Sequence, residues 1–99
     1  MKTIIVIPTY NEKENIQALI KAIFALNIND LEIIVVDDNS PDKTAEEVKK
    51  ISTQHPVHLI ERRAKLGIGS AYIAGFKKAL SLNAEYIFEM DADFSHNPK

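Results

Sequence analysis

Apolar and polar positions in this chain alternate in blocks, and the spacing inside each block predicts its element. Ile4-Ile5-Val6-Ile7 is a continuous β-branched run ending at Pro8. A run without polar alternation predicts a strand buried on both faces. Ile16, Leu19, Ile20, Ile23 and Phe24 follow at the spacing of one helical stripe, which predicts a helix over about residues 12–26. Asn11 is placed to cap it, with Glu12 and Glu14 complementing the dipole of the first turn. Leu31 to Val36 predicts a second strand, and Asn39-Ser40-Pro41-Asp42 is turn chemistry. Ala45, Val48 and Ile51 mark the inner face of a helix running to about Gln54. After Pro56, Val57 to Ile60 predicts a short third strand. Gly67-Ile68-Gly69 opens a helix with the inward stripe Ala71, Tyr72, Gly75, Phe76, Ala79 and Leu80, and Ala84 to Met90 predicts a fourth strand.

Strands alternating with helices of this length imply an α/β fold with a parallel sheet and right-handed crossovers. The expected strand order is 3-2-1-4, half of a Rossmann-like, doubly wound sheet. The 99 residues carry no repeat, linker or low-complexity stretch, and their length suits one domain. A chain without cysteine has no disulfide, thiolate zinc site or cysteine nucleophile. A net charge of −2 provides no global basic field, so no nucleic-acid partner is expected. No apolar run is long enough to span a membrane, and Ile4 to Ile7 is too short for the core of a signal peptide. The expected compartment is therefore the cytosol.

The polar residues collect where the strands end. Thr9-Tyr10-Asn11-Glu12 follows the first strand, Asp37-Asp38-Asn39-Ser40 the second, Glu61-Arg62-Arg63 the third and Asp91-Ala92-Asp93 the fourth. In an open parallel sheet these ends share one edge, and the switch point between strands one and four would bring Thr9–Glu12 beside Asp91–Asp93. Two carboxylates one residue apart at a strand end offer hard oxygen ligands for Mg²⁺ or Mn²⁺; otherwise they cap a turn. Asp37-Asp38 either accepts hydrogen bonds from a base or ribose, or Asp38 and Ser40 cap the turn into the next helix. Tyr10 either stacks on a base or packs. Arg62, Arg63 and Lys65 form a basic cluster that either holds a phosphate or lipid headgroup or lies in a solvated loop. His55 and His58 flank a strand in structural or exposed positions, and His96 is either a metal ligand or a loop residue. Gly67-Ile68-Gly69 matches neither the dinucleotide fingerprint nor a P-loop, since Tyr72 stands where the third glycine belongs. Its glycines allow a tight turn at a helix N-terminus, which could attract a ligand phosphate.

Taken in order, four segments carry a resemblance: Ile7-Pro8-Thr9-Tyr10-Asn11-Glu12, then Val35-Val36-Asp37-Asp38-Asn39-Ser40-Pro41-Asp42-Lys43-Thr44, then Lys65-Leu66-Gly67-Ile68-Gly69-Ser70-Ala71-Tyr72, then Met90-Asp91-Ala92-Asp93-Phe94-Ser95-His96-Asn97-Pro98-Lys99. The series resembles the dolichol-phosphate mannosyltransferases, also called polyprenyl-phosphate mannose synthases, which are inverting GT-A glycosyltransferases. Small departures are Lys43 where that family usually has Gly, Ser70 for Thr, and Asn97 for a second His.

The resemblance implies that Pro8, Tyr10 and Glu12 line a nucleotide site, and that Val36 and Asp38 contact the base and ribose region. It implies that Asp91, Ala92 and Asp93 hold the metal and sugar diphosphate, with Asp91 and Asp93 as ligands to Mg²⁺ or Mn²⁺. The implied reaction moves mannose from GDP-mannose to dolichyl or polyprenyl phosphate with inversion, at the cytosolic face of a membrane. The acceptor is already anionic, so no strong general base is required. Catalytic domains of that family are more than twice this length. Residues 1–99 are thus expected to form the N-terminal nucleotide-sugar-binding half, inactive alone and able to self-associate through an exposed apolar face. Two other readings stay open: a donor such as UDP-glucose, and a non-catalytic nucleotide-binding module.

Overall fold

The computed structural model describes residues 1–63 and 66–92. Its elements run β1 (Thr3–Thr9), α1 (Ile16–Phe24), β2 (Leu31–Asp37), α2 (Thr44–Ser52), β3 (Val57–Glu61), α3 (Ile68–Ser81) and β4 (Tyr86–Glu89). The strands form one sheet in the order β3-β2-β1-β4, parallel at every pairing, as the alternation predicts.

Strand alternation divides the core into two layers. Ile5, Ile7, Ile33 and Val35 face α1 and α2, packing with Ile16, Leu19, Ile20, Ile23, Val48 and Ile51. Ile4, Val6, Ile34 and Val36 face the other way, toward Ala71 and Ala79 of α3. Gly75 brings α3 against β1, because a Cβ there would stand 2.2 Å from Val6 Cγ1. Pro8 sits inside β1 at no cost to the ladder. Val6 O accepts from Met90 N–H while Thr9 O accepts from Asp38 N–H, so even positions of β1 face β4. The missing donor of Pro8 therefore falls past the last paired residue of β4, Glu89.

Two expectations are corrected. Helix α1 begins at Ile16, with Asn15 rather than Asn11 at the N-cap position and no acidic residue in its first turn. Residues 12–15 instead form a turn in which the N–H groups of Asn15 and Ile16 both donate to Glu12 O, and Asn11 is left-handed at φ 57°. In α3, Leu80 is 65% exposed rather than inward-facing. It lies about 100° around the helix from Ala79, and Leu82 and Ala84 fill the adjoining core instead.

Outside the core, His55 stacks on Phe24 with ring centroids 4.6 Å apart. His58 Nε2 lies 2.6 Å from Glu32 Oε1, and Lys2 Nζ pairs with the same carboxylate at 3.0 Å. At the β4 edge, Tyr86 and Phe88 are exposed and share an apolar surface with Leu26 and Ile28. Among the described residues, no helix is long and apolar enough to cross a membrane.

Candidate nucleotide-sugar site

Parallel pairing brings Thr9 and Asp37 level at the carboxyl ends of β1 and β2. Asp37 is buried, and a charge there needs donors. Thr9 Oγ1 donates to its Oδ1 at 2.7 Å, Ser40 Oγ to the same oxygen at 2.6 Å, and Ser40 N–H to Oδ2 at 3.0 Å. Asp37 is thus the fixed post around which the second loop turns.

That loop holds the first. Asn11 N–H donates to Ser40 Oγ at 2.9 Å, Glu12 N–H to Thr44 Oγ1 at 3.0 Å and Lys13 N–H to Asp42 Oδ2 at 3.1 Å. Asp42 also receives the N–H and hydroxyl of Thr44. Burial raises the Asp42 carboxyl, but hydrogen bonds from Thr44 and Lys13 outweigh it and hold the pKa below the ordinary aspartate value. Asp37, Ser40, Asp42 and Thr44 therefore all serve the loop architecture. Between Asp42 and Thr44, Lys43 occupies the left-handed region at φ 68°.

Asp38 points elsewhere. Arg62, just past β3, grips it with two hydrogen bonds, Nε to Oδ1 at 2.6 Å and Nη2 to Oδ2 at 2.9 Å. Leu66 N–H adds a third at 3.2 Å. Arg62 also donates to Ser70 Oγ at 2.6 Å and Gly67 O at 3.1 Å, tying the start of α3 to the same cluster. Its side chain is 11% exposed, so it is neither a solvated loop cation nor a surface phosphate hook. A carboxylate has about four acceptor positions; these three bonds leave Asp38 one for a ligand. Gly67, at φ 98°, makes the turn into α3.

A cavity of about 230 Å³ opens between these loops and the exit of β4. It brings together six of the expected site residues: Pro8, Tyr10, Glu12, Asp38, Asp91 and Ala92. Gly67 and Ile68 at the start of α3 complete one wall. Val36 does not reach the cavity; it is fully buried in the core layer beneath. Tyr10 lines the cavity and is 38% exposed. Glu12 Oε1 accepts from Asn15 Nδ2 at 3.3 Å, and Asp91 Oδ1 from Tyr72 Oη at 2.9 Å. Asp93, Lys65 and His96 lie outside the described residues.

The carboxylates of Glu12, Asp38 and Asp91 supply hard oxygens to the cavity, a donor chemistry that suits Mg²⁺ or Mn²⁺. Arg62 already offsets the charge of Asp38, which leaves Glu12 and Asp91 as the described carboxylates that suit a cation. Among the described residues, no three His, Cys, Asp or Glu side chains cluster as a metal site. Such a cation binds through few protein oxygens and keeps positions for phosphate and water.

Sequence reasoning missed Arg62 as the partner of Asp38 and Tyr72 as the partner of Asp91. The Asp37–Glu61 pairing carries the signal for the first, since the next residue along each strand brings Asp38 beside Arg62.

Helices on both faces of a parallel sheet, with a carboxylate-bearing cavity where β1 and β4 meet, define an α/β protein whose cavity lies at the switch point of the sheet. The chain belongs to the family described as "Glycosyl transferase family 2", whose sequence profile matches residues 4–99. It is 44% identical over 100 residues to the dolichol-phosphate mannosyltransferase of Pyrococcus furiosus, covering 100% of this chain and 28% of that protein. Identity to the polyprenol monophosphomannose synthase of Mycolicibacterium smegmatis is 39% over 100 residues, covering 99% of this chain and 37% of that one. The chain thus spans well under half the length of these relatives. The fold is similar to S. aureus TarS 1-349 in complex with UDP-GlcNAc, with TM-score 0.83 and 26% identity over 94% of this chain and 27% of that one. It is also similar to the mannosyltransferase PcManGT from Pyrobaculum calidifontis in complex with GDP-Man and Mn²⁺, with TM-score 0.73 and 28% identity over 79% of this chain and 24% of that one.

Proposed function

We propose that residues 1–99 form the donor-binding half of a polyprenyl-phosphate mannosyltransferase that uses GDP-mannose. The observation that carries this reading is the single cavity gathering Pro8, Tyr10, Glu12, Asp38, Asp91 and Ala92 in a chain 44% identical to a dolichol-phosphate mannosyltransferase. Tyr10 offers a ring face to the base, and the remaining acceptor position of Asp38 takes one donor from the base or ribose. The start of α3 directs backbone N–H groups toward the diphosphate.

In the reaction, an oxygen of the lipid phosphate attacks the anomeric carbon of mannose from the face opposite GDP. The bond from that carbon to the diphosphate oxygen breaks and GDP leaves, which inverts the centre. Asp91 and Asp93 would hold the divalent metal. When bound, it supplies neutralising charge for the departing diphosphate. The lipid acceptor places the full enzyme at a membrane surface, and the acceptor site belongs to sequence its longer relatives possess. The 99 residues alone bind donor and do not transfer.

The test is thermal unfolding with GDP-mannose and Mn²⁺. The reading expects a higher Tm with both together and loss of that shift in Asp93→Ala; an unchanged Tm at millimolar nucleotide contradicts it. A second reading, a UDP-linked sugar, draws on the likeness to TarS in complex with UDP-GlcNAc. Stronger stabilisation by a UDP-sugar than by GDP-mannose would select it.

A further inference from the structure

We propose that Tyr72 is a positioning residue whose hydroxyl fixes the Asp91 carboxylate in the orientation that receives a metal-bound nucleotide. This rests on the donor-site reading above.

Asp91 stands two residues past the end of β4. Among the described residues, the last backbone bond joining that exit to β1 is Met90 N–H to Val6 O at 3.1 Å. Beyond it, side-chain contacts must set the direction of the carboxylate. Tyr72 Oη donates to Asp91 Oδ1 at 2.9 Å. Its own position is set by the core: the ring packs on the layer beneath α3, with the Phe76 ring centroid 6.4 Å away. Gly75 presses that stretch of α3 onto Val6, so the hydroxyl is held against the sheet.

Two features mark Tyr72 as acting through Asp91. It borders a neighbouring hollow with Glu89, Met90 and Asp91 rather than the cavity itself, so it reaches the carboxylate from behind. The chemistry of its bond also contrasts with that at Asp38. Arg62 sets a positive charge against Asp38, which disfavours a cation there. Tyr72 brings a neutral donor, which orients Asp91 without cancelling its charge. Outer donors of this kind orient a ligand carboxylate, and their loss typically weakens metal binding 10–100-fold.

The experiment measures Mn²⁺ affinity of the full chain in saturating GDP by electron paramagnetic resonance of free Mn²⁺, with GDP affinity in EDTA measured beside it. Tyr72→Phe keeps the ring and removes the hydroxyl. We expect a Mn²⁺ Kd raised about tenfold, with metal-free GDP affinity and Tm near wild type. Phe76→Leu disturbs the same packing but leaves the hydroxyl, and should keep the Mn²⁺ Kd within about twofold of wild type. In an Asp91→Asn background, Tyr72→Phe should add nothing further. Wild-type Mn²⁺ affinity in Tyr72→Phe, or an equal loss in Phe76→Leu, overturns the proposal while leaving the donor-site reading intact. Failure of wild type itself to bind Mn²⁺ with GDP overturns both.

Discussion

Arg62 and Asp38 meet through two parallel hydrogen bonds, at 2.6 and 2.9 Å, across 24 residues of sequence. The guanidinium fork matches the carboxylate plane, and three further contacts of Arg62 and Asp38 bind in Ser70, Gly67 and Leu66. One ion pair therefore joins the exits of β2 and β3 to the first turn of α3, along a wall of the cavity.

Breaking this pair leaves a carboxylate that is almost wholly enclosed. Arg62→Ala should lower stability by about 3 kcal/mol, measured by urea unfolding. Arg62→Lys should recover only part of that, because an ammonium cannot supply the paired donors. A loss under about 0.5 kcal/mol in Arg62→Ala would place the pair in the class of weak surface contacts.

Ser40 links the two loops by accepting from Asn11 N–H and donating to Asp37. Ser40→Ala should cost about 1–2 kcal/mol. It should also weaken GDP binding severalfold, because the loop that carries Tyr10 loses the nearest of its three tethers. Calorimetric titration alongside unfolding would expose a variant whose stability falls with no change in affinity, which contradicts the coupling.

Lys43 is the one left-handed non-glycine residue that is not Asn or Asp, among the described residues. Relief of that strain, less the extra freedom glycine gives the unfolded chain, predicts that Lys43→Gly stabilises by about 0.5–1 kcal/mol. A lower unfolding midpoint in urea would contradict a strained position.

Glu32 carries the acid dependence of the opposite sheet edge. The hydrogen bond with His58 is the main cause holding its carboxyl below the ordinary glutamate value; burial opposes this, and Lys2 assists. A depressed folded pKa stabilises the protein above the unfolded value, about 4.3, and that contribution fades as pH falls through the folded value. Glu32→Gln should therefore lower Tm at pH 7, and the gap should narrow progressively below about pH 4. A gap that widens in acid would reverse the sign.

The sheet was legible because its strands are unbroken apolar runs and its helices carry clear stripes. The order β3-β2-β1-β4 then follows from right-handed crossovers. What local sequence hid was the use made of groups far apart. Helix α1 starts late because the N–H groups of residues 11–13 are satisfied by Ser40, Asp42 and Thr44, some 29–32 residues on. Asp37 and Asp38 look equivalent as neighbours, yet strand alternation turns one into the loop framework and the other toward the cavity. Arg62 reads as part of a basic cluster until β2–β3 register sets it beside Asp38. Val36 illustrates the converse, since the strand that places it near the site also buries it.

The most direct test of the donor-site account is calorimetric titration of GDP into the full chain, with and without Mn²⁺, for wild type and Asp91→Asn. The account predicts that Mn²⁺ tightens GDP binding at least about tenfold in wild type and leaves it nearly unchanged in Asp91→Asn. Equal affinity with and without Mn²⁺ in wild type, or full Mn²⁺ dependence retained in Asp91→Asn, would contradict it.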